Sequence, residues 1–252
     1  MNRKHIPDYS KYKMKPQELV LALIAVMGIC FAIGLVFYEN IIISALLSFA
    51  GILYIPMRRK ELLRKRKDIL RLQFKDALYF LSVALSAGKS LETAVSDAYD
   101  SLRGMYPEEN SDIMTELNII RQRILMNEPV EKCFLDLARR SDIEEIKSFA
   151  DVIMIAKRSG ANLVEVMRIT SATISEKIEI QQEIATLIAG KKLEYKVLCF
   201  MPFVLVFFLK SSSPGFLDPL VHTPIGNLVM TAALLMIACG MLLGRKIMHI
   251  EV

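Results

Sequence analysis

The chain has 252 residues, of which 53% are hydrophobic and 23% charged, with a formal net charge of +5 and a mean hydropathy of +0.37. Its four cysteines form no C-x-x-C pair, and His5, His222 and His249 lie far apart, so a zinc or dithiol motif is excluded and no cofactor is expected. The charges are unevenly placed: they vanish from four stretches, whereas a soluble helical protein keeps a solvated, charged face on every helix.

The N-terminal segment, residues 1–18, carries Arg3, Lys4, Lys11, Lys13 and Lys15 ahead of the first uncharged run, Leu19–Tyr38. A second run, Asn40–Met57, follows at once, and runs of about 18 residues or more can cross the ~30 Å hydrocarbon core of a bilayer. A cleaved signal peptide would have an apolar region of ~7–15 residues. Here the run continues through Leu35, Val36 and Phe37 into a second one, which favours an anchor. The third run, Val197–Leu209, covers only about 20 Å as a helix. Lys196 and Lys210 can snorkel outward from it, Ser211–Ser213 can extend it, and Pro202 predicts a local kink. The fourth run is Ile225–Gly244.

Cations flank these runs on one side only. Arg58, Arg59, Lys60, Arg64, Lys65, Arg66 and Lys67 follow the second, and Arg245 and Lys246 follow the fourth. The turn at Glu39-Asn40 has none, and the loop Ser211–Pro224 has none beyond Lys210. The positive-inside rule then predicts a multi-pass membrane protein with both termini and the central block cytoplasmic. The expected fold is an all-α membrane protein, four transmembrane helices around a central cytoplasmic helical bundle. Its boundaries are an N-terminal segment 1–18, a helix pair 19–57, a helical domain 58–192, a second pair 193–244 and a tail 245–252.

Within the central block, Leu70, Phe74, Ala77, Leu78, Leu81 and Leu85 recur at helical spacing, and the helix is predicted to be continuous with the second span. Gly88 predicts a left-handed stop, Ser90 caps the next start, and Leu91, Ala94, Val95, Ala98 and Leu102 form the next stripe. A polar break at Gly104 and Pro107 precedes a helix from about Asp112 to Met126. Asn127 and Pro129 mark the next start, with proline in its first turn and Val130, Cys133, Phe134 and Leu137 inside. Ser141-Asp142-Ile143-Glu144 reads as a capping box, ahead of a stripe of Ile146, Phe149, Ala150, Ile153 and Ala156. Gly160 is expected to stop that helix and Asn162-Leu163 to begin a long last one, lined by Val166, Ile169, Thr173, Ile180, Ile184 and Leu187.

No phosphate loop, dinucleotide fingerprint or H-E-x-x-H motif is present, and first-turn acids such as Glu144, Glu145 and Glu165 are explained by capping and the helix dipole. The basic run 58–67 suits anionic headgroups, or an acidic protein partner, better than nucleic acid, because the remainder of the domain is not basic. Transport is disfavoured by spans without Asp, Glu, Lys, Arg or His.

Four passages together carry a resemblance. Phe74–Leu91 (FKDALYFLSVALSAGKSL) is similar to the opening of the type II secretion F domain, with its A-G-x-S-L corner at Gly88, Ser90 and Leu91. Asn127–Ala138 resembles the family's second helical hairpin, and Ile155–Met167 (IAKRSGANLVEVM) its second glycine corner, with Gly160, Asn162 and Leu163. Leu187–Pro202 resembles the approach to the following span, ending in Met201-Pro202. One such domain between two pairs of spans looks most like the platform proteins of the tight-adherence (Tad) pilus. The resemblance implies a non-enzymatic platform in the cytoplasmic (inner) membrane of a prokaryote, for assembling a pilus or secretion pseudopilus. Its implied partners are a hexameric secretion ATPase, a second platform protein of the same family, pilin or pseudopilin and the lipid bilayer, with no nucleic acid, in a homo- or hetero-oligomer. Arg139, Arg140, Lys157 and Arg158 are candidate docking residues, expected to be exposed. The alternative function is a membrane-tethered scaffold or receptor in signalling.

Overall fold

The computed structural model describes Pro7, Tyr9 and residues 16–49, 51, 54–106, 111–159, 162–213 and 215–247. Its helices are α1 (Pro16–Tyr38), α2 (Ile41–Phe49), α3 (Tyr54–Ser86), α4 (Leu91–Leu102), α5 (Asp112–Leu125), α6 (Val130–Ser141), α7 (Glu144–Ser159), α8 (Leu163–Ser212), α9 (Asp218–Val221) and α10 (Pro224–Ile247). Among the described residues there is no strand, in keeping with the all-α expectation. The chain divides into two compact units, each assembled from two separated stretches: residues 1–13 with 60–180, and residues 14–59 with 181–252. Both divisions fall inside continuous helices, α3 and α8.

In the first unit the apolar stripes of α3 to α7 converge on one core. Leu70, Phe74, Leu78 and Leu81 of α3, Leu102 of α4, Ile113 and Leu117 of α5, Cys133, Phe134 and Leu137 of α6, and Ile146 and Phe149 of α7 are all buried. Phe149 is central to it, meeting Phe74 edge-on at 5.4 Å and Phe134 at 5.1 Å between ring centroids. Edge-to-face pairs at such separations add to the hydrophobic term.

Left-handed residues make the corners between these helices. Gly88 has φ +81°, the N–H of Gly88 donates to Leu85 O at 2.9 Å, and that of Lys89 to Ala84 O at 3.2 Å. That pair of bonds satisfies two orphan carbonyls at the end of α3. Asn127, at φ +62°, builds the same motif after α5, where the N–H of Asn127 donates to Ile124 O and that of Glu128 to Arg123 O. A Cβ at Gly88 would meet no atom within 4 Å, so substitution there costs only through the backbone. Gly88→Val should therefore lower stability by ~1–2 kcal/mol, with Gly88→Asn costing less, and an unchanged melting temperature for the valine variant would contradict this.

Two expected corners and one stripe differ from the sequence reading. Ser141 does not cap α7: it is the last residue of α6, and its hydroxyl donates back to Ala138 O at 3.3 Å. Asp142 then takes φ +52°, its N–H donating to Ala138 O, so the reversal is spent on ending α6 rather than on a capping box. Pro129 stands one place before α6, with ψ 134°, not inside its first turn. On the first-unit part of α8 the buried residues are Met167, Ser171, Ile174 and Ile178, whereas the expected Ile169 and Ile180 are exposed. The inner register contains a serine, and a stripe of branched residues lies beside it. The stop expected at Gly160 lies outside the described residues.

The second unit contains α1, α2, α9, α10 and the ends of α3 and α8. Within the α1–α2 hairpin a Cβ at Gly34 would lie 2.6 Å from Ser44 Cα, so the missing side chain is what lets the two backbones meet. Ser48 Oγ donates to Met27 O at 3.0 Å in the same seam. Small residues at helix seams are the usual means of close packing where lipid removes the hydrophobic drive. A second cluster joins Phe37 and Tyr38 of α1 to Met230 of α10, with Phe203 of α8 edge-on to Phe37 at 5.9 Å. The phenol of Tyr38 lies 2.9 Å from Thr231 Oγ1.

Among the described residues, length and composition do not by themselves mark out the four expected spans. Among the described residues one helix is long and apolar enough to cross a membrane, through Pro224–Gly244, and Leu23–Tyr38 is a shorter apolar stretch. The second charge-free run is divided between α2, nine residues long, and the start of α3. At 1.5 Å per residue α2 reaches only about 13 Å. The third run is part of α8, which continues around Pro202 to Ser212.

Candidate functional site

Functional candidates from the sequence fall at two helix corners and on the hairpin of α6 and α7. At the α3–α4 corner, Ser90 lies in extended conformation and its Oγ accepts from Thr93 N at 3.3 Å, while Leu91 is buried in the core. At the start of α8, Asn162 Oδ1 accepts from Val164 N at 3.2 Å and Glu165 N at 3.4 Å, capping two orphan donors of the first turn. Leu163 opens α8, and Pro202 lies in the part of that helix belonging to the second unit.

The four candidate docking cations separate into two pairs. Lys157, in the last turn of α7, donates to Glu131 in the first turn of α6 at 2.8 Å, with Arg158 exposed beside it. Arg139 and Arg140 are in the last turn of α6, eight and nine residues beyond Glu131 and so about 12–13 Å along the helix. Arg139 is exposed. Arg140 corrects the expectation: its side chain is only 15% exposed, because it is turned onto a buried carboxylate.

That carboxylate is Glu116 of α5, with no exposed surface. Both of its oxygens accept from Arg140, at 2.6 Å each, and Oε1 also accepts the phenol proton of Tyr9 at 2.9 Å. Behind Arg140, its Nε donates to Asp136 at 3.1 Å, and Asp136 in turn accepts from Arg123 at 2.7 Å. Arg123 is held by Glu128 in a second two-point pair at 2.7 and 2.6 Å. Burial opposes the charge of Arg140, but its bonds to Glu116 and the neighbouring Asp136 outweigh that and hold the guanidinium above its ordinary pKa. Burial first, and the carboxylates of Glu116 and Asp112 next, push the phenol of Tyr9 far above its ordinary value near 10.

Two further ion pairs tie α3 to this corner. Arg66 grips Asp112, the first residue of α5, at 2.8 and 2.7 Å, and Arg71 reaches the buried Glu145 of α7 at 3.0 Å. Glu145 also lies 3.3 Å from Lys177 of α8. At the start of α5, Gln73 Oε1 accepts from Ile113 N at 3.3 Å, a role that the nearby Ser111 hydroxyl does not take. Sequence reasoning missed Glu116 and Glu145, although a signal exists. Glu116 falls three residues after Ile113 and four before Ile120, and Glu145 four before Phe149, so each lies on its helix's apolar stripe.

Chemically this is a set of paired charges that fixes helix against helix. Its carboxylates are engaged by guanidinium and phenol donors, an arrangement suited to rigidity and shape. Among the described residues no group of three His, Cys, Asp or Glu is placed to hold a metal ion.

The family model for the Type II secretion system (T2SS), protein F, matches residues 77–209, more than half of the chain, and the chain belongs to that family. No curated protein and no solved structure matches it. The T2SS protein F domain is found in secretion and pilus platform proteins, which are non-catalytic proteins of the inner membrane that work with a secretion ATPase and partner platform proteins.

Proposed function

We propose that this chain is a platform protein, of the kind that serves the tight-adherence pilus, type IV-like pili or a secretion pseudopilus, coupling a hexameric cytoplasmic ATPase to pilin extraction and polymerisation. The observation that carries the reading is the family match over residues 77–209, which runs from the core of α3 through the apolar part of α8. In this reading both termini and the helical unit are cytoplasmic. The membrane is crossed four times, by α1, by α2 with the start of α3, by the end of α8 and by α10. The exposed apolar side chains of the second unit support it: Leu21 and Ile24 on α1, Phe207 and Phe208 on α8, and Leu235 and Met236 on α10 stand more than half exposed. Apolar surface on that scale needs a cover, and lipid supplies one.

The continuity of α8 supports the mechanical part of the proposal. Its 50 residues amount to about 75 Å of helix along its axis, and a helix without an internal loop transmits rotation along its length. Arg139, Lys157 and Arg158 are the proposed ATPase contacts, with Arg140 as a support for the surface on which Arg139 sits. The test is a pull-down from detergent, with the full chain as bait, the cognate secretion ATPase and a second platform protein as prey, with and without nucleotide. Capture by the full chain, lost when residues 70–192 are removed, is the expected result. A folded full chain that captures no ATPase with the second platform protein present would overturn the proposal.

A further inference from the structure

Pro7 and Tyr9 sit on the first unit as a bound peptide would. Tyr9 is buried, and three helices supply its contacts. From α3, the Arg66 guanidinium carbon stands 4.7 Å from the centre of the ring. From α5, Glu116 accepts the phenol proton. From α6, the Arg140 carbonyl accepts the N–H of Tyr9 at 3.1 Å, while Arg140 Nη1 donates to the carbonyl of Pro7 at 3.0 Å. The main chain is thus gripped at two points, two residues apart, and the side chain at two more.

The receiving groups hold one another without help from the tyrosine. Glu116 keeps both bonds from Arg140, and Arg66 keeps both of its bonds to Asp112. A site whose polar groups are already paired retains its shape when an occupant leaves, which is what makes binding there reversible. Tyr9 belongs to the same buried cluster as Phe74, Phe134 and Phe149, but the edge-to-face pairs of that cluster are made among the three phenylalanines.

We propose that α3, α5 and α6 form a tyrosine-binding socket, lined by Arg66, Glu116 and Arg140, and that the segment around Tyr9 is its detachable occupant. Docked, it is held on the helical unit by the Tyr9 side chain and by the two main-chain bonds. Undocked, it leaves a cationic and anionic socket able to take a tyrosine-bearing segment of the same kind.

A fluorescently labelled peptide of residues 1–15, titrated against the full chain in detergent, tests this by anisotropy. The peptide should bind the Tyr9→Ala chain, whose socket is empty, and bind the wild-type chain about tenfold more weakly or not at all. A Tyr9→Phe peptide should lose about tenfold in affinity, the worth of one hydrogen bond to a charged group. Equal binding to the wild-type and Tyr9→Ala chains would overturn the socket, as would no binding to a Tyr9→Ala chain of unchanged helix content. Should Tyr9→Ala not fold, the Tyr9→Phe chain keeps the buried ring and is followed by hydrogen exchange. Faster exchange confined to residues around 9, 116 and 140 supports a latch, and uniform acceleration through the core of α3 and α7 overturns it.

Discussion

Replacing Arg140 with alanine should cost the helical unit about 3–5 kcal/mol, the usual consequence of leaving one member of a buried ion pair behind. Glu116 has no exposed surface and takes two of its three hydrogen bonds from this one guanidinium. Tyr9 alone cannot hold a carboxylate charge there, and Asp136 would lose a partner as well. In thermal denaturation of the detergent-solubilised chain the variant should melt about 10 °C or more below wild type. The paired change of Glu116→Leu with Arg140→Met removes both charges together and should recover most of the loss, since apolar replacement of a whole buried pair is often neutral. A single Arg140→Ala variant melting within a degree or two of wild type would show that the pair carries nothing. The distinction bears on function, because an Arg140 variant defective in assembly would otherwise pass for a docking mutant. Arg139→Ala, exposed one residue away, provides the comparison: it should leave melting unchanged.

Phe149→Ala should be as damaging, by about 3–5 kcal/mol. Its ring contacts those of Phe74 and Phe134, so one truncation removes two edge-to-face pairs and opens a cavity among α3, α6 and α7. Phe149→Leu, which keeps most of the volume, should cost less than half as much. Near-ultraviolet circular dichroism, which reports aromatic packing, should lose intensity in the alanine variant before the far-ultraviolet helix signal does. Retention of both signals and of the melting temperature would place the centre of the core elsewhere.

These residues also show what the sequence made legible. Phe74, Phe134 and Phe149 were readable because each sits on a stripe with helical period, and the period is a direct image of a buried face. Gly88 and Ser90 were readable because a left-handed reversal and a side-chain cap each demand particular residue types. Ser141 was misread for a related reason: a serine three places before a glutamate fits a capping box, but it fits equally well as the last residue of a helix closed by a left-handed Asp142. Arg140 was taken as exposed because charge usually means surface, and only the partner on another helix reverses that inference. Tyr9 left no pattern at all, since a lone aromatic in a polar segment has no period to reveal its burial. That the run Asn40–Met57 is shared by two helices, α2 and α3, was equally hidden, because absence of charge measures hydrophobicity and does not count helices.

The interleaved construction of the two units has a consequence for how the molecule is made. Tyr38 and Thr231, hydrogen-bonded to each other, are 193 positions apart in the chain. A ribosome therefore releases α1 and α2 first, then the whole helical unit, and only at the end the α10 residues that complete the cluster around Phe37 and Met230. For most of synthesis the α1–α2 hairpin has to persist without its final neighbours. The seam at Gly34, Ser44 and Ser48 is what it has to do so with. Unit one, meanwhile, has all of its helices before the last apolar stretch has left the exit tunnel. Nascent chains arrested before residue 224 should thus already hold a folded helical unit beside a membrane unit that is still waiting for its last helix.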